Sequence, residues 1–240
     1  MLTRRLSKPL AIVAAVVVIG GGAFGIVSAT SSNSSAGAST GQTTNAVPAA
    51  KAGFAAKSGS NARSGAAAGG VVGTVSSVST SSFTVSTTGG QKVTVKKASS
   101  TTYRKGTSSA SASAIKKGEP VLVLGTTNGT TITATRVVVQ PPGGGSATFS
   151  PSKVIAFKRG APTTSKQDGQ IPANYSEGSG TIVSGTTANK ATEAALAAYA
   201  GGVVDRVVKL SNGQYEVHNI GVSWPHHIFV SSSFKVVGAN

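Results

Sequence analysis

Residues 71–95 read VVGTVSSVSTSSFTVSTTGGQKVTV, and this stretch decides the fold of the middle of the chain. Val71, Gly73 and Val75 alternate with Val72, Thr74 and Ser76, and Phe83 and Val85 alternate with Thr84 and Ser86. Successive strand side chains point to opposite faces, so a period of two gives one buried face and one solvated face. Gly89 and Gly90 supply a turn that accepts positive φ, after which Val93 and Val95 resume the period. Working outward, residues 101–103 add a short strand, and residues 108–114 are small and polar, as in a loop. Residues 121–124 form an apolar run between Pro120 and Gly125, the pattern of a strand buried on both faces. Asn128-Gly129 signals a hairpin, and Ile132, Ala134 and Val137 to Val139 finish the module before Pro141-Pro142. Five or six short strands in about 70 residues predict a small all-β domain over residues 70–142, a barrel-like closure or a sandwich.

The C-terminal stretch, residues 180–240, has a mixed pattern. Residues 181–184 open with a short strand. Residues 188–200 are helical, with Ala191, Ala195, Leu196, Ala198 and Tyr199 at helical spacings, Thr187 as N-cap and Gly201-Gly202 as the stop. Residues 203–210 and 214–220 are strands around a turn at 211–213, and residues 228–230 and 234–237 close the module. One helix laid on an antiparallel sheet is the α+β solution to this pattern.

The other segments read as connections and an anchor. Residues 30–69 are rich in Ser, Ala, Gly and Thr and cannot bury enough surface to offset chain entropy, which predicts a disordered tether. As a flexible coil of about 40 residues it would span about 35 Å. Residues 143–179 carry Pro151, Pro162, Pro172 and several glycines and read as a second disordered linker, with residues 154–157 able to form one isolated strand. At the start, Arg4, Arg5 and Lys8 precede an uncharged apolar run that opens at Leu10 and ends at Ala29. As a helix such a run covers about 30 Å of hydrocarbon, and its basic flank stays on the cytoplasmic side. The expectation is a single-pass signal anchor over residues 1–29 that places everything after it outside the cytoplasm. The alternative is a secreted protein cleaved after Ala29, since Val27-Ser28-Ala29 offers short residues to a signal peptidase. Arg4-Arg5 hints at a twin-arginine signal, but Ser7 stands where that motif wants a large apolar residue.

Composition narrows the chemistry. The chain has 240 residues, no cysteine and a net charge of +16, from 22 Lys plus Arg against 6 Asp plus Glu. Without cysteine there is no disulfide, thiolate metal site or thiol nucleophile, which suits an exported bacterial protein. The charge is uneven. The β-module holds Lys92, Lys96, Lys97, Arg104, Lys105, Lys116, Lys117 and Arg136 against Glu119, whereas the C-terminal module is nearly neutral. A basic module near a membrane is drawn to anionic lipid headgroups or anionic wall polymer. The same lysines also serve simply as solvated charge that keeps a β-module soluble.

Two stretches carry a family resemblance. Ala191, Ala194, Ala195, Leu196 and Tyr199, then Gly201-Gly202, residues 203–207, Gly213, Tyr215-Glu216-Val217 and residues 234–238 resemble the PepSY domains of bacterial secreted and membrane proteins. The resemblance covers about 60 residues in the order helix, glycine, valine-rich strand, turn and Tyr-Glu strand, and departs from the family at residues 221–228. It implies a non-catalytic domain associated with restraint of exported peptidases or with sensing near the cell surface. Gly73-Thr74-Val75, Phe83-Thr84-Val85, Gly90-Gln91, residues 117–121 and residues 133–137 resemble an uncharacterised β-domain family of bacterial exported proteins, which implies an OB-like barrel without implying an activity.

Few residues suggest a reacting site. Glu216 and His218 lie two apart on a predicted strand and share a face, with His226 and His227 close by. These four could ligate a zinc-like ion if residues 221–228 fold back over that strand; otherwise they are a surface glutamate and loop histidines, and no metal or cofactor is expected. Trp224, the one tryptophan, reads as core. No serine lies in a glycine-flanked elbow, and Gly143 to Gly145 precede no helix, which excludes a phosphate loop. The β-module offers only Phe83 and Tyr103 for base stacking, which argues against nucleic acid. The expected protein is a non-enzymatic, membrane-anchored envelope protein. Lys92, Lys96, Lys97, Lys116 and Lys117 would meet an anionic polymer or lipid surface, and the C-terminal module would meet a protein partner. The alternatives are an inhibitor of an exported peptidase and a spacer without a ligand.

Overall fold

The computed structural model describes residues 65–141, 153–161 and 164–240, all within one compact unit, Phe54–Asn240. The expected anchor at residues 1–29, most of the expected tether and residues 143–152 lie outside the described residues. Among the described residues no helix is long and apolar enough to cross a membrane.

The elements run in the order β1 (Ala67–Val78), β2 (Ser82–Ser86), β3 (Lys92–Lys105), β4 (Ser108–Ala110), a 3₁₀ turn (Ala112–Ala114), β5 (Pro120–Asn128) and β6 (Thr131–Val139). There follow β7 (Ile155–Ala156), β8 (Asp168–Gly169), β9 (Thr181–Ile182), α1 (Gly185–Ala198), β10 (Val203–Lys209), β11 (Tyr215–Ile220), β12 (Val222–Trp224), β13 (His227–Val230) and β14 (Val236–Ala239). Among the described residues the protein is mostly β, with a five-stranded barrel and one α-helix.

The barrel closes in the order β1-β2-β3-β6-β5 and back to β1. Every pairing in this ring is antiparallel except the parallel β3–β6 pair. The valines picked out by the period of two point inward: Val71, Val75, Val85, Val93 and Val95 are buried with Phe83, and Ile115 joins them from the turn before β5. The strands expected at 93–95 and 101–103 are one strand, β3. Its register against β6 shifts between Lys97 and Thr102, and Thr101 Oγ1 bridges the irregularity by accepting from Ala98 N (2.9 Å) and donating to Ala134 O (2.7 Å). Gly129 takes the positive φ, 55°, in the β5–β6 hairpin.

Beyond the barrel the sheet continues as β10-β11-β13-β14, all antiparallel, with α1 against one face. The helix starts at Gly185 with Ser184 as N-cap, three residues before the expected start, so Thr187 is inside it. Its small residues Ala188, Ala191 and Ala195, with Leu196, pack on Val204, Val207, Val217, Ile228 and Val230. The insertion at 221–228 forms β12, which leaves the sheet to pair with β7, while the β11–β13 pairing holds from Tyr215↔Val230 to His218↔His227.

Two expectations about organisation are corrected. The modules are not separate bodies on a tether. β1 pairs with β10 through Gly70↔Val204 and Val71↔Val203, Val203 enters the barrel core, and Val72 enters the core under the helix. Gly69 makes this possible, since a Cβ there would lie 2.0 Å from Val204 O, while Gly70 serves the barrel side of the same strand, where a Cβ would lie 2.4 Å from Val123 O of β5. Arg136 of the barrel also pairs with Glu193 of the helix. Nor are the described parts of residues 143–179 a free linker. Val154 is buried, β7 pairs with β12 and β8 with β14, and Ile171 and Tyr175 pack on Val208, Leu210, Phe229 and Val237. Val208 and Phe229 alternate with Val207, Ile228 and Val230, so Ile171 and Tyr175 of this strap cover the sheet face opposite α1, while Val154 joins the core under the helix. Proline and glycine content misled the reading because a strap held by scattered apolar anchors has no periodicity to detect.

Candidate functional site

The basic face follows from strand alternation. Because Val93 and Val95 are fully buried in the barrel, Lys92 and Lys96 on the same strand are exposed on its outside. Their cross-strand partners are Ser86 and Ser82, and Thr94 between them faces Thr84. Lys97 is half-buried and donates from Nζ to Ser79 O at 2.6 Å. Lys116 and Lys117 are exposed on the turn before β5. Gly118 N donating to Val75 O (2.8 Å) and Val75 N donating to Glu119 O (3.0 Å) fix that turn to β1. Trp224 is buried in the other half, edge-on to Tyr199, and donates from Nε1 to Lys166 O at 2.6 Å.

A second polar site lies on the strap-covered face of the sheet. Cross-strand register aligns Arg206, His218 and His227 in one row and Val208, Glu216 and Phe229 in the next. Glu216 is fully buried, and its Oε1 accepts from His227 Nδ1 at 2.7 Å and from Tyr175 OH at 3.1 Å. Its Oε2 has no hydrogen-bond partner among the described residues. Arg206 is 3% exposed, with Nη1 at 3.1 Å from His218 Nδ1 and 3.7 Å from Asp205 Oδ2. His218 Nδ1 also lies 2.6 Å from Asp205 Oδ1. One ring nitrogen cannot both donate to Asp205 and accept from Arg206, and the shorter contact to a carboxylate assigns the proton to Nδ1. The Tyr175 hydroxyl is pushed far above its ordinary value, first by burial and then by the negative charge of Glu216. His226 contacts Asn219 O through Nδ1 at 3.3 Å, and burial lowers its pKa below the usual imidazole value.

The side chains of His218 and His227 each retain 15% exposure, and their ring centroids stand 5.3 Å apart. With His226, Asn240, Glu177 and residues 164–167 of the strap they line an open cleft of about 700 Å³. The structure thus brings Glu216, His218 and His227 together and leaves His226 beside them. It does not make the four a metal cage: among the described residues no group of three or more His, Asp or Glu side chains is placed to hold an ion. Glu216 is spent behind His227, not beside it. Sequence reasoning missed Asp205, Arg206 and Tyr175. The first two could have been found by pairing the predicted strands across the 211–213 turn, which sets Arg206 opposite His218; Tyr175 stands in an apparent linker and gives no local signal.

These features define a closed five-stranded β-barrel fused through a shared sheet to an α+β unit. Residues 72–138, which lie within β1 to β6, match a family described as a domain of unknown function, DUF5666. No curated protein and no solved structure matches the chain.

Proposed function

We propose that this is a non-enzymatic, membrane-anchored envelope protein that binds a phosphate-rich anionic surface, lipid headgroups or wall polymer, through the outside of its barrel. The observation that carries the reading is the exposure of Lys92, Lys96, Lys116 and Lys117, with Glu119 the one acidic residue between 65 and 141. Each such lysine near an anionic surface is worth about 1 kcal/mol, and the attraction is screened within about 10 Å at ordinary salt. Nucleic acid fits poorly, because Phe83 is buried in the core and leaves only the half-buried Tyr103 as an aromatic on the barrel. We also read the barrel as OB-like, since its third and fifth long strands run parallel and close the ring. The single helix on an antiparallel sheet is consistent with a PepSY-like unit. Its second sheet face is covered by the chain's own strap, which disfavours that face as a peptidase inhibitor surface.

The test is co-sedimentation of residues 54–240 with vesicles of anionic or neutral lipid, and separately with anionic wall polymer, at low and high salt. Binding to one anionic material at low salt, lost at high salt and in a Lys92→Gln, Lys96→Gln, Lys116→Gln, Lys117→Gln variant, is the expected result. No binding to either material at low salt removes the proposal.

A further inference from the structure

The paired histidines of the sheet have an arrangement that neither surface binding nor packing requires. His218 and His227 face each other across β11 and β13, and each has its Nδ1 against a different carboxylate, Asp205 at 2.6 Å and Glu216 at 2.7 Å. A carboxylate that accepts from Nδ1–H fixes the ring orientation and leaves Nε2, on the other side of the ring, as a lone-pair donor. Both rings line the cleft and both keep solvent access. This is the support that metal-ligating imidazoles receive from their outer shell.

We propose that the Nε2 atoms of His218 and His227 form a two-imidazole site for a borderline divalent ion of the Zn²⁺ class, oriented from behind by Asp205 and Glu216. The spacing agrees with that role. With metal–nitrogen bonds of about 2.0 Å and a tetrahedral angle, two ligating imidazoles have ring centroids about 5.2 Å apart. The observed separation is 5.3 Å. Two protein ligands leave coordination positions for water or for a ligand entering the cleft, so the site is open. Glu216 is not a ligand here: it is fully buried, and the oxygen that carries its contacts serves His227 and Tyr175. Tyr175, delivered by the strap, adds its hydroxyl to Glu216 and stacks edge-on against Phe229 at 4.8 Å, so the strap and the site are built together. His226 lies nearby but turns its Nδ1 to a backbone carbonyl, Asn219 O. It is excluded from the ligand pair. This proposal does not depend on the barrel's binding an anionic surface.

The chain has three histidines, so its imidazole signals can be followed one by one. Long-range ¹H–¹⁵N spectra of the full chain are recorded through a Zn²⁺ titration, with a His226→Gln variant to assign that ring. The expected result is that stoichiometric Zn²⁺ shifts the His218 and His227 Nε2 resonances while Nδ1 stays protonated, and that His226 is unmoved. Asp205→Asn and Glu216→Gln should each weaken the apparent Zn²⁺ affinity by about 10- to 100-fold. Loss of ring order without loss of affinity in these variants would overturn the role given to the carboxylates. The titration of the unaltered chain decides the site even if a variant does not fold. Unshifted His218 and His227 rings in excess Zn²⁺, or a shift at His226 alone, overturns the proposal.

Discussion

The barrel and the α+β half are joined by one sheet yet bury different things. The barrel interior is valine, isoleucine and phenylalanine, and its buried polar residues are threonines: Thr87, Thr101 and Thr127. All its charges are half-buried or exposed. The α+β half buries Arg206 and Glu216 on the sheet face under the strap, and Asn219 on the opposite face, where its Nδ2 donates to Pro225 O at 3.1 Å. An apolar barrel gains from burial alone, at about 25 cal/mol per Å², and does not depend on charge. A buried ionic row adds little net stability but is costly to break, because the remaining partner stays desolvated. The two halves therefore share a framework and separate two duties: the barrel displays charge outward, and the α+β half holds polar groups in fixed geometry.

The most damaging changes should be single large-to-small substitutions in each half. Trp224→Ala removes a side chain 1% exposed that packs on Tyr199, and Phe83→Ala removes the largest buried barrel side chain, 2% exposed. Each should cost about 3–5 kcal/mol in denaturant unfolding. The comparison lies in how they unfold. Trp224, the sole tryptophan, reports on the α+β half by fluorescence, while far-UV circular dichroism follows both. Because β1 pairs with β5, β2 and β10, the two probes should give one transition in residues 54–240 and in Phe83→Ala, while Trp224→Ala, which has no tryptophan left, is followed by dichroism alone. Separate transitions in the unaltered protein would mean that the halves are independent and the shared sheet is not cooperative.

Gly69→Ala attacks the junction itself. The new Cβ would fall 2.0 Å from the backbone oxygen of Val204, so the strand pair must part. A cost of about 3 kcal/mol is expected, with the fluorescence and dichroism transitions drawing apart. A change below about 1 kcal/mol with coincident transitions would show that the junction yields freely.

The elements were legible where periodicity is strong, and their association was not. Val93 and Val95, Gly89-Gly90, and Tyr215 to Ile220 fall where alternation and turn residues place them. The parallel β3–β6 pairing and the β1–β10 junction join residues far apart in sequence, and no local pattern encodes such register. Gly69 reads as the end of a flexible tether, because a glycine needed for close backbone approach has the same letter as one that loosens a coil. At the site, Glu216, His218 and His227 were found by residue type and spacing. Their meaning was not, since it depends on Tyr175 arriving from a segment whose prolines and glycines conceal its anchors. Lys97 was grouped with the exposed lysines, yet its position after the alternation ends turns it onto Ser79.

The smallest effect separates the halves by pH. Tyr199 is buried against Trp224 and donates its hydroxyl to Asp168 Oδ2 at 2.9 Å, tying the helix end to the strap. Burial first, then the bond to Asp168 and its charge, raise the phenol's folded pKa above its unfolded value of about 10. The unfolded chain releases this proton first. The stabilisation is therefore complete below about pH 10 and is lost as pH rises from there toward the folded value. Tyr199→Phe keeps the ring on Trp224 and removes the hydroxyl, so it should cost about 1 kcal/mol at neutral pH. It should also flatten the alkaline fall in stability without abolishing it, since Tyr175 is shifted in the same direction. An alkaline slope as steep as that of the parent, together with no cost at neutral pH, would mean that the Tyr199–Asp168 bond does not form. The strap would then be held at that end by Trp224 Nε1 on Lys166 O and by the β8–β14 pairing.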